Sequence, residues 1–481
     1  MKVTTMDPKV LLVNPSFDLE SHFGRLAKAG PSLLPVGSTY LAAVLENSGI
    51  DVSIWDGQVE PAGLDSLEEA LRSFRPTVVG ITAYSPMLAQ VRAVARLSHS
   101  ELPQSIVVVG GVHATVLPDE ILNMEEIDVV VRGEAEPVIV PLVESLTSGG
   151  SIHDIPGISI RRNGAKHHAP PIALVEDLDT IPKPSLHLLK HRLYRPAPEI
   201  TMTRPSKIQS IITSRGCPYQ CIFCSARLLS GRRYRYHSPT RVMEEIESVI
   251  ADYDAREIVF LDDNFIVNKK RVYRICDELI KSGLSKRLIW ACNGRVDEVD
   301  QDMLFRMREA GCRLISFGVE SGVERLLKLI KKDITLEDSM NAVRWAKRAG
   351  IRVRTTLIIG LPTETVDETR KTIEFAKKLG SDFAKFSLAT PYPGTELCQI
   401  AEARGLMKSH DWSRASSMVG FSTYDPLFTP EGRTGEEMKQ WQRKAMREFY
   451  IRPRQLWNVL SQTKSLADVR LLLEAARAMI Q

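Results

Sequence analysis

Apolar residues recur along the first 150 positions in short runs that stop at small or polar residues. Val10-Leu11-Leu12-Val13 ends at Asn14-Pro15, which predicts a buried strand and a turn. Pro35 to Leu45 is an amphipathic helical segment with Gly49 as its stop, and Asp51 to Trp55 alternates like a strand. Val78 to Thr82, Ile106 to Gly111 and Asp128 to Glu134 add three more strand-like runs. Strands of this kind, alternating with helical stretches, predict a parallel sheet covered on both faces. Ligands bind such sheets beyond the carboxyl ends of the strands. That edge holds Asn14, Thr82 to Ser85 and Gly110 to His113. Residues 151–206 are rich in proline and histidine and read as a linker. From Lys207 the strand–helix alternation resumes, with candidate strands at Ile208–Thr213, Glu257–Leu261, Leu288–Cys292, Leu314–Gly318, Val353–Ile359 and Phe383–Leu388. Ser238 and Pro239 mark one helix start, and Val242, Ile246, Val249 and Ile250 form its inward stripe. Beyond residue 410 the alternation ends. Two amphipathic helices, Gly435 to Tyr450 and Ser465 to Ile480, fill the helical region 411–481.

Composition narrows the class. A chain of 481 residues has room for about three domains. Its 43% hydrophobic and 25% charged residues are those of an ordinary globular protein. A formal net charge of +4 is too small to argue for nucleic acid or an acidic membrane. No apolar run approaches the eighteen or so residues of a membrane span, and Met1 to Pro8 lacks the features of a signal peptide. The expectation is a cytoplasmic α/β protein without a transmembrane segment. Seven cysteines in so long a chain do not make a disulfide framework. Cys276, Cys292, Cys312 and Cys398 are scattered, as small core residues are.

The remaining three, Cys217, Cys221 and Cys224, form a C-x3-C-x2-C loop within Arg215-Gly216-Cys217-Pro218-Tyr219-Gln220-Cys221-Ile222-Phe223-Cys224. Iron–sulfur clusters are normally held by four thiolates. Three can hold a 4Fe-4S cluster with one iron open to a substrate or cofactor. Zinc needs four ligands, commonly from paired sets, and no matching pair lies nearby. Three reduced structural thiols are the remaining alternative.

With this loop the chain resembles the radical S-adenosylmethionine (SAM) superfamily. The resemblance implies a partial (β/α)6 barrel over residues 207–410. It also implies a 4Fe-4S cluster on the three cysteines, and SAM chelated to the open iron and cleaved to a 5'-deoxyadenosyl radical. Phe223 then lies near the adenine. Polar residues at the strand ends take up the rest of SAM. Asp262 and Asp263 meet the methionyl amine, while Asn293 and Arg295 end the third strand with Arg295 pairing the carboxylate. Glu320 and Ser321 end the fourth, with Glu320 facing the ribose, and Ile358 and Gly360 support the adenine. Tyr392 follows the sixth strand on the substrate side; no strong base is needed, and either it or a nearby carboxylate is placed to take a proton. Arg227, Arg232, Arg233 and Arg235, interleaved with Tyr234 and Tyr236, read as a solvated loop closing over the cluster rather than a nucleic-acid patch.

The first 150 residues resemble the cobalamin-binding domain fused to many of these enzymes, in the segments Asn14–Ser16, Leu34–Gly49, Gly110–Glu120 and Asp128–Glu136. The fold implied is Rossmann-like. Asn14, Thr82, Ser85, Gly110, Gly111, His113 and Glu134 form the cobalamin side, with the glycines allowing close backbone approach. The D-x-H-x-x-G motif, whose histidine ligates cobalt elsewhere, is absent: Asp18 and His22 stand in the right region at the wrong spacing. His113 reads as a loop histidine satisfied by backbone. The function implied is cobalamin-dependent methylation of an unactivated carbon of a small molecule, drawing electrons from a donor such as flavodoxin or ferredoxin. A radical cyclase or carbon–carbon coupling enzyme on a lipid or tetrapyrrole is the alternative within enzymes. A non-catalytic cobalamin carrier or sensor would not need the intact cysteine trio. A transfer-RNA methylthiotransferase would carry cysteines in its N-terminal domain, and none precedes Cys217.

Overall fold

The structure is a computed structural model that describes residues 7–24, 27, 32, 34–60, 62–194, 207–453 and 455. The helix expected over Ser465 to Ile480 lies outside these residues. The chain divides into two compact units. One holds the residues before Asp18 together with Ser32–Tyr194 and Leu228–Ser230, and the other holds the rest.

In the first unit five parallel strands, β1 (Lys9–Asn14), β2 (Asp51–Asp56), β3 (Val78–Thr82), β4 (Ile106–Gly110) and β5 (Val129–Val131), lie in the order β2-β1-β3-β4-β5. The order reverses between β1 and β3. In doubly wound sheets a crevice opens at that switch point, outside the strand carboxyl ends. Asn14 and Thr82 end the two strands concerned. The core is aliphatic: Val10, Leu12, Leu45, Val78, Val108 and Val129 pack with Leu142 and Val143 of the helix Ile139–Ser148.

Residues 151–194 correct the linker reading. Here β6 (Ile158–Arg162) and β7 (Ala165–His168) join the sheet antiparallel beyond β5. The segment that follows buries Leu178, Ile181, Leu186 and Leu189, donates Ser185 N to Thr39 O at 3.0 Å, and ends with the buried Tyr194. Spread among prolines, these apolar residues give no helix or strand period. They nonetheless fold with the first unit.

The second unit is built on six parallel strands: β8 (Ile208–Ile211), β11 (Glu257–Phe260), β12 (Ile289–Gly294), β13 (Cys312–Glu320), β14 (Arg352–Ile359) and β15 (Phe383–Leu388). Their order is β15-β14-β13-β12-β11-β8, each beside its predecessor in the chain. A two-stranded ribbon, β9 (Ser214–Arg215) with β10 (Arg235–Tyr236), closes the base of the cysteine loop. Short helix Leu19–Phe23 also belongs to this unit. Thr423 N donates to Ser21 O at 3.1 Å and Ser416 Oγ to His22 O at 3.1 Å, and a Cβ at Gly24 would collide with the Phe421 carbonyl.

An open sheet leaves its two outer strands unpaired on one side, and β15 is one of them. The C-terminal region covers it. The Tyr450 hydroxyl accepts from Ala384 N (3.2 Å) and donates to Ala384 O (2.9 Å); Gln442 Nε2 donates to Phe386 O (2.7 Å); Leu388 N donates to Ser417 O (2.9 Å). Every second residue of the strand therefore finds a partner outside the sheet. Gln442 is fully buried on the helix Gly435–Tyr450, and it also donates to Ser417 O and accepts from Gly420 N. Gln442→Ala strands several buried polar groups at once and is expected to cost about 2–4 kcal/mol. A lowered thermal unfolding midpoint, against no change for the exposed Gln440→Ala, checks this.

Candidate active site

The cysteine loop leaves the barrel after β8, and one carboxylate fixes its start. Asp262, just past β11, is fully buried. Its oxygens accept from Thr213 N, Thr213 Oγ1 and Ser214 N, each at 2.6 Å. Arg271 braces the same turn, donating to Thr213 O (2.9 Å) and His237 O (3.0 Å). The expectation that the Asp262 carboxylate meets SAM is therefore corrected: it holds the loop from beneath. Asn293 supports it, donating through Nδ2 to Asp262 O at 3.2 Å. Farther along, Ile222 N donates to Ile330 O (3.1 Å) and Leu397 N to Ile222 O (2.9 Å). These bonds tie the loop between Cys221 and Cys224 to the segments after β13 and β15. The fully buried Ile222 leaves Phe223 half-buried beside it.

Cys221 is buried; Cys217 and Cys224 are partly so. Burial raises all three thiol pKa values, that of Cys224 to about 11, and neighbouring thiols add to the shifts of Cys217 and Cys224. Two cations oppose this. Arg295 favours the thiolates of Cys217 and Cys221, and Lys332 favours that of Cys221. Asp263 is solvent-exposed at the loop, close enough to Cys217 and Cys224 to disfavour their ionisation. Crowding by protein raises its own pKa, against a hydrogen bond from the Gly216 backbone. Among the described residues, no three His, Cys, Asp or Glu side chains converge to hold a single metal ion. A four-iron cube spreads its corner thiolates wider than one ion does. Thiols that are grouped, desolvated and flanked by cations fit an anionic cluster whose iron drives off their protons.

Arg295 is 4% exposed and heavily committed. Its guanidinium pairs with both oxygens of Asp297 at 3.0 Å, donates to Lys332 O at 2.7 Å and lies over the Tyr219 ring, 3.5 Å from its centroid. Only Nη1 lacks a partner. Tyr219 in turn donates to Glu298, which also accepts from Asn264 Nδ2, each at 2.5 Å. Glu320, at the end of β13 with φ +63°, forms a buried ion pair with Lys332 Nζ at 2.9 Å. Gly318 makes room for that pair. A Cβ there would lie 2.3 Å from Glu320 Oε1 and 2.7 Å from Lys332 Nζ. Lys332 was not among the residues the sequence marked. It sits beyond a six-residue helix, Glu324–Leu329, and nothing local distinguishes it from Lys331.

Ser321 is corrected as well: fully buried, its hydroxyl meets Thr372 Oγ1 (3.2 Å) and accepts from Val323 N (3.2 Å), which locks the turn against the helix Val366–Leu379. Ile358 is buried near the end of β14. Gly360, at φ +83°, donates its NH to the buried Glu364 at 2.8 Å, and its missing Cβ leaves room for Met438. Burial raises the Tyr392 phenol pKa and so favours its protonated form.

In the first unit Asn14 turns inward. Its Nδ2 donates to Asp56 Oδ1, and Tyr194 donates to Asp56 Oδ2, both at 2.7 Å, so the Asn14 amide is committed inside the fold. Ser85 and His113 are also buried, joined Oγ to Nδ1 at 2.9 Å, with His113 Nε2 3.3 Å from Glu120. His113 is thus held through Nδ1 by the Ser85 side chain, not by backbone, and is 1% exposed. Glu134 accepts from Val175 N at 3.2 Å. Gly111, at φ +98°, lets Ala83 approach: a Cβ there would lie 2.9 Å from Ala83 N and O and 3.0 Å from Thr82 Oγ1. A Cβ at Gly110 would make only ordinary contacts with Val131. With Ala83 and Ser85 both buried, Tyr84 between them is turned out, 51% exposed beside the switch-point crevice. A rigid glycine-backed turn presenting an aromatic ring suits a large planar cofactor. In the second unit Asp18 caps the helix Leu19–Phe23, accepting from Ser21 N, and His22 packs edge-on against Tyr424. His22 is 1% exposed and is not available as a cobalt ligand.

Comparison with known proteins agrees with this geometry. Residues 211–376 match the radical SAM superfamily, and residues 24–143 match the B12 binding domain. An uncharacterized methyltransferase of Pyrococcus horikoshii is 37% identical over 93% of this chain and 94% of its own length. The anaerobic magnesium-protoporphyrin IX monomethyl ester cyclase of Rubrivivax gelatinosus is 30% identical over 81% of this chain and 69% of its own. Among solved structures, the radical SAM methyltransferase TsrM of Kitasatospora setae, with cobalamin and a 4Fe-4S cluster bound, superposes with a TM-score of 0.72. The two share 18% identity over 99% of this chain and 100% of that one. The cobalamin-dependent radical enzyme OxsB, with aqua-cobalamin and SAM bound, gives 0.77 at 17% identity over 98% of this chain and 72% of that one.

The chain belongs to the radical SAM enzymes that carry a B12-binding domain. Its cofactors are accordingly a 4Fe-4S cluster, SAM and cobalamin. No helix among the described residues is long and apolar enough to cross a membrane.

Replacing Cys217, Cys221 and Cys224 together with alanine should abolish iron incorporation while leaving cobalamin binding intact, as read by iron analysis and absorbance after desalting. Gly318→Ala forces the Glu320–Lys332 pair apart and should cost about 1–3 kcal/mol of stability. It should also lower SAM cleavage well beyond tenfold, whereas Gly37→Ala, at an exposed position where a Cβ meets nothing within 4 Å and φ is not positive, should leave cleavage unchanged.

Proposed function

We propose that this enzyme methylates an unactivated carbon of a small-molecule substrate, using cobalamin and a SAM-derived radical. The observation that carries the reading is the coexistence in one chain of a three-thiol loop and a glycine-backed switch-point crevice. The likeness to a methyltransferase along nearly the whole length of both chains supports it. Bound together, the cluster and SAM supply a 5'-deoxyadenosyl radical that takes hydrogen from carbon, and cobalamin supplies a methyl group to that carbon.

The chain's own residues set the stage. Asp262 and Arg271 fix the entry to the cysteine loop, while Arg295 and Lys332 favour its thiolates. In this reading the free Nη1 of Arg295 and the exposed Asp263 meet the two ends of the methionyl group of SAM, and Tyr84 meets the corrin. Tyr392, held protonated, orients the substrate as a hydrogen-bond donor. The electron consumed in each SAM cleavage comes from a one-electron carrier protein.

The cyclase likeness supports a second reading, ring closure or carbon–carbon coupling on a tetrapyrrole or lipid. The two separate experimentally. Anaerobic reconstitution with iron, sulfide and hydroxocobalamin should give one cluster and about one cobalamin per chain. With methyl-labelled SAM and candidate substrates, the label should then appear in product. Stoichiometric cobalamin with 5'-deoxyadenosine formed from SAM in the presence of a substrate that gains no label would overturn methylation in favour of cyclisation. Tyr84→Ala should lower retained cobalamin several-fold without changing iron content.

A further inference from the structure

The loop that leaves β14 is held by a part of the chain some seventy residues away. Gly360 and Leu361 each donate their backbone NH to Glu364 Oε2 at 2.8 Å. Thr369, on the helix Val366–Leu379, donates its hydroxyl to the other oxygen, Oε1, at 2.7 Å. Glu364 is 2% exposed, accepts from all three donors and offers no proton of its own. A buried anion of this kind needs a countercharge nearby. Arg433 brings one from the C-terminal region. Its Nη1 donates to Thr369 Oγ1 at 3.0 Å, and its Nε pairs with Glu437 at 2.8 Å. Burial raises the Glu364 pKa, and the three hydrogen bonds and the Arg433 charge oppose that shift.

The polarity of this series runs one way. Arginine can only donate, so Thr369 accepts from it and turns its single proton toward Glu364. The carboxylate then faces the two NH groups just past the strand. Other groups of the same C-terminal segment close on the loop. Glu431 accepts from Thr363 N at 3.1 Å, and Met438 fills the space beside Gly360, where a Cβ would lie 2.5 Å from its Cε. Gly360 and Thr363 both hold positive φ, +83° and +62°. For a residue such as Thr363 that backbone persists only where several contacts impose it. Glu431 is one of them, and Arg325, whose Nη2 donates to Thr363 O at 3.1 Å, is another.

We propose that Arg433 is a positioning residue for SAM: through Thr369 and Glu364 it fixes the Gly360–Leu361 backbone on which the adenine rests. The inference rests on the reading of Ile358 and Gly360 as the adenine support. It gives the C-terminal region a part in cofactor binding beyond covering the edge of the sheet. Arg433 touches no reacting atom. Without it Thr369 is free to turn its proton elsewhere, and the carboxylate loses both a donor and its countercharge. The two NH groups then lose their common acceptor position, so the adenine half of SAM is seated less firmly while the methionyl half is untouched.

The test uses the full chain reconstituted with cluster and cobalamin. Without SAM, hydrogen exchange in the peptide spanning residues 358–366 should be faster in Arg433→Met than in the wild type. In 5'-deoxyadenosine formation driven by dithionite, the variant should raise KM for SAM about tenfold and keep the rate at saturating SAM within about twofold. Competition by S-adenosylhomocysteine, which carries the adenine, should weaken in step with KM, and competition by methionine should not. Thr369→Val should reproduce these effects, whereas Thr369→Ser, which keeps the hydroxyl, should not show them. Gln442→Ala, which destabilises the same region without touching this series of bonds, should leave KM unchanged. Unchanged exchange or KM in Arg433→Met overturns the assignment, as does a fall in the saturated rate alone or an equal weakening of both competitors. Ile358→Ala separates the two ways of failing. If it too leaves KM unchanged, the placement of the adenine is wrong; if it raises KM while Arg433→Met does not, only the role of Arg433 falls.

Discussion

The barrel mouth depends on one buried carboxylate. Asp262 is removed from water, and its cost of burial is offset by three short hydrogen bonds from Thr213 and Ser214 and by the charge of Arg271. Because those bonds go to the residues just before the cysteine loop, the loop cannot shift without exposing or orphaning the carboxylate. The loop's other end is pinned through Ile222 to Ile330 and Leu397, on segments that follow the fourth and sixth barrel strands. The three thiols are thus carried by a loop fastened to three separate strand ends.

The same region concentrates backbone strain. Glu320, Lys331, Asp333 and Thr363 all adopt positive φ without being glycine. Such residues persist only where their surroundings over-determine them. For Glu320 the reason is visible, since its carboxylate must turn back to Lys332 through space that Gly318 leaves open. Lys331 leaves the same turn to bind Glu396 on the helix after the sixth strand, at 2.6 and 2.8 Å. The Lys331–Asp333 turn therefore fixes two ion pairs and, through Lys332 O, the guanidinium of Arg295.

Stability and site construction are also separated within each unit. In the first, the polar residues that look most ligand-like, Asn14, Ser85 and His113, are spent on internal hydrogen bonds that harden the strand ends. What they present is a neighbour: Tyr84 projects because both adjacent residues are locked inward. In the second, Gln442, Tyr450 and Ser417 satisfy the open edge of the sheet, so the C-terminal region serves the barrel wall.

The sequence by itself determined both folds, the six parallel strands and the cysteine trio, because period and motif spacing are local properties. It also placed Asp262, Asn293, Arg295, Glu320 and Gly360 at strand ends, where a parallel barrel must gather its polar groups. It could not say which way each would face. A carboxylate at a strand end reads the same whether it faces outward, like the exposed Asp263, or turns beneath the backbone, like Asp262. Lys332 was invisible because its partner, Glu320, lies across a helix and a strained turn. Residues 151–194 were taken for a linker because their apolar positions have no period and find their contacts only in the folded unit. These choices depend on which groups are desolvated together, and that is settled by distance in space, not along the chain.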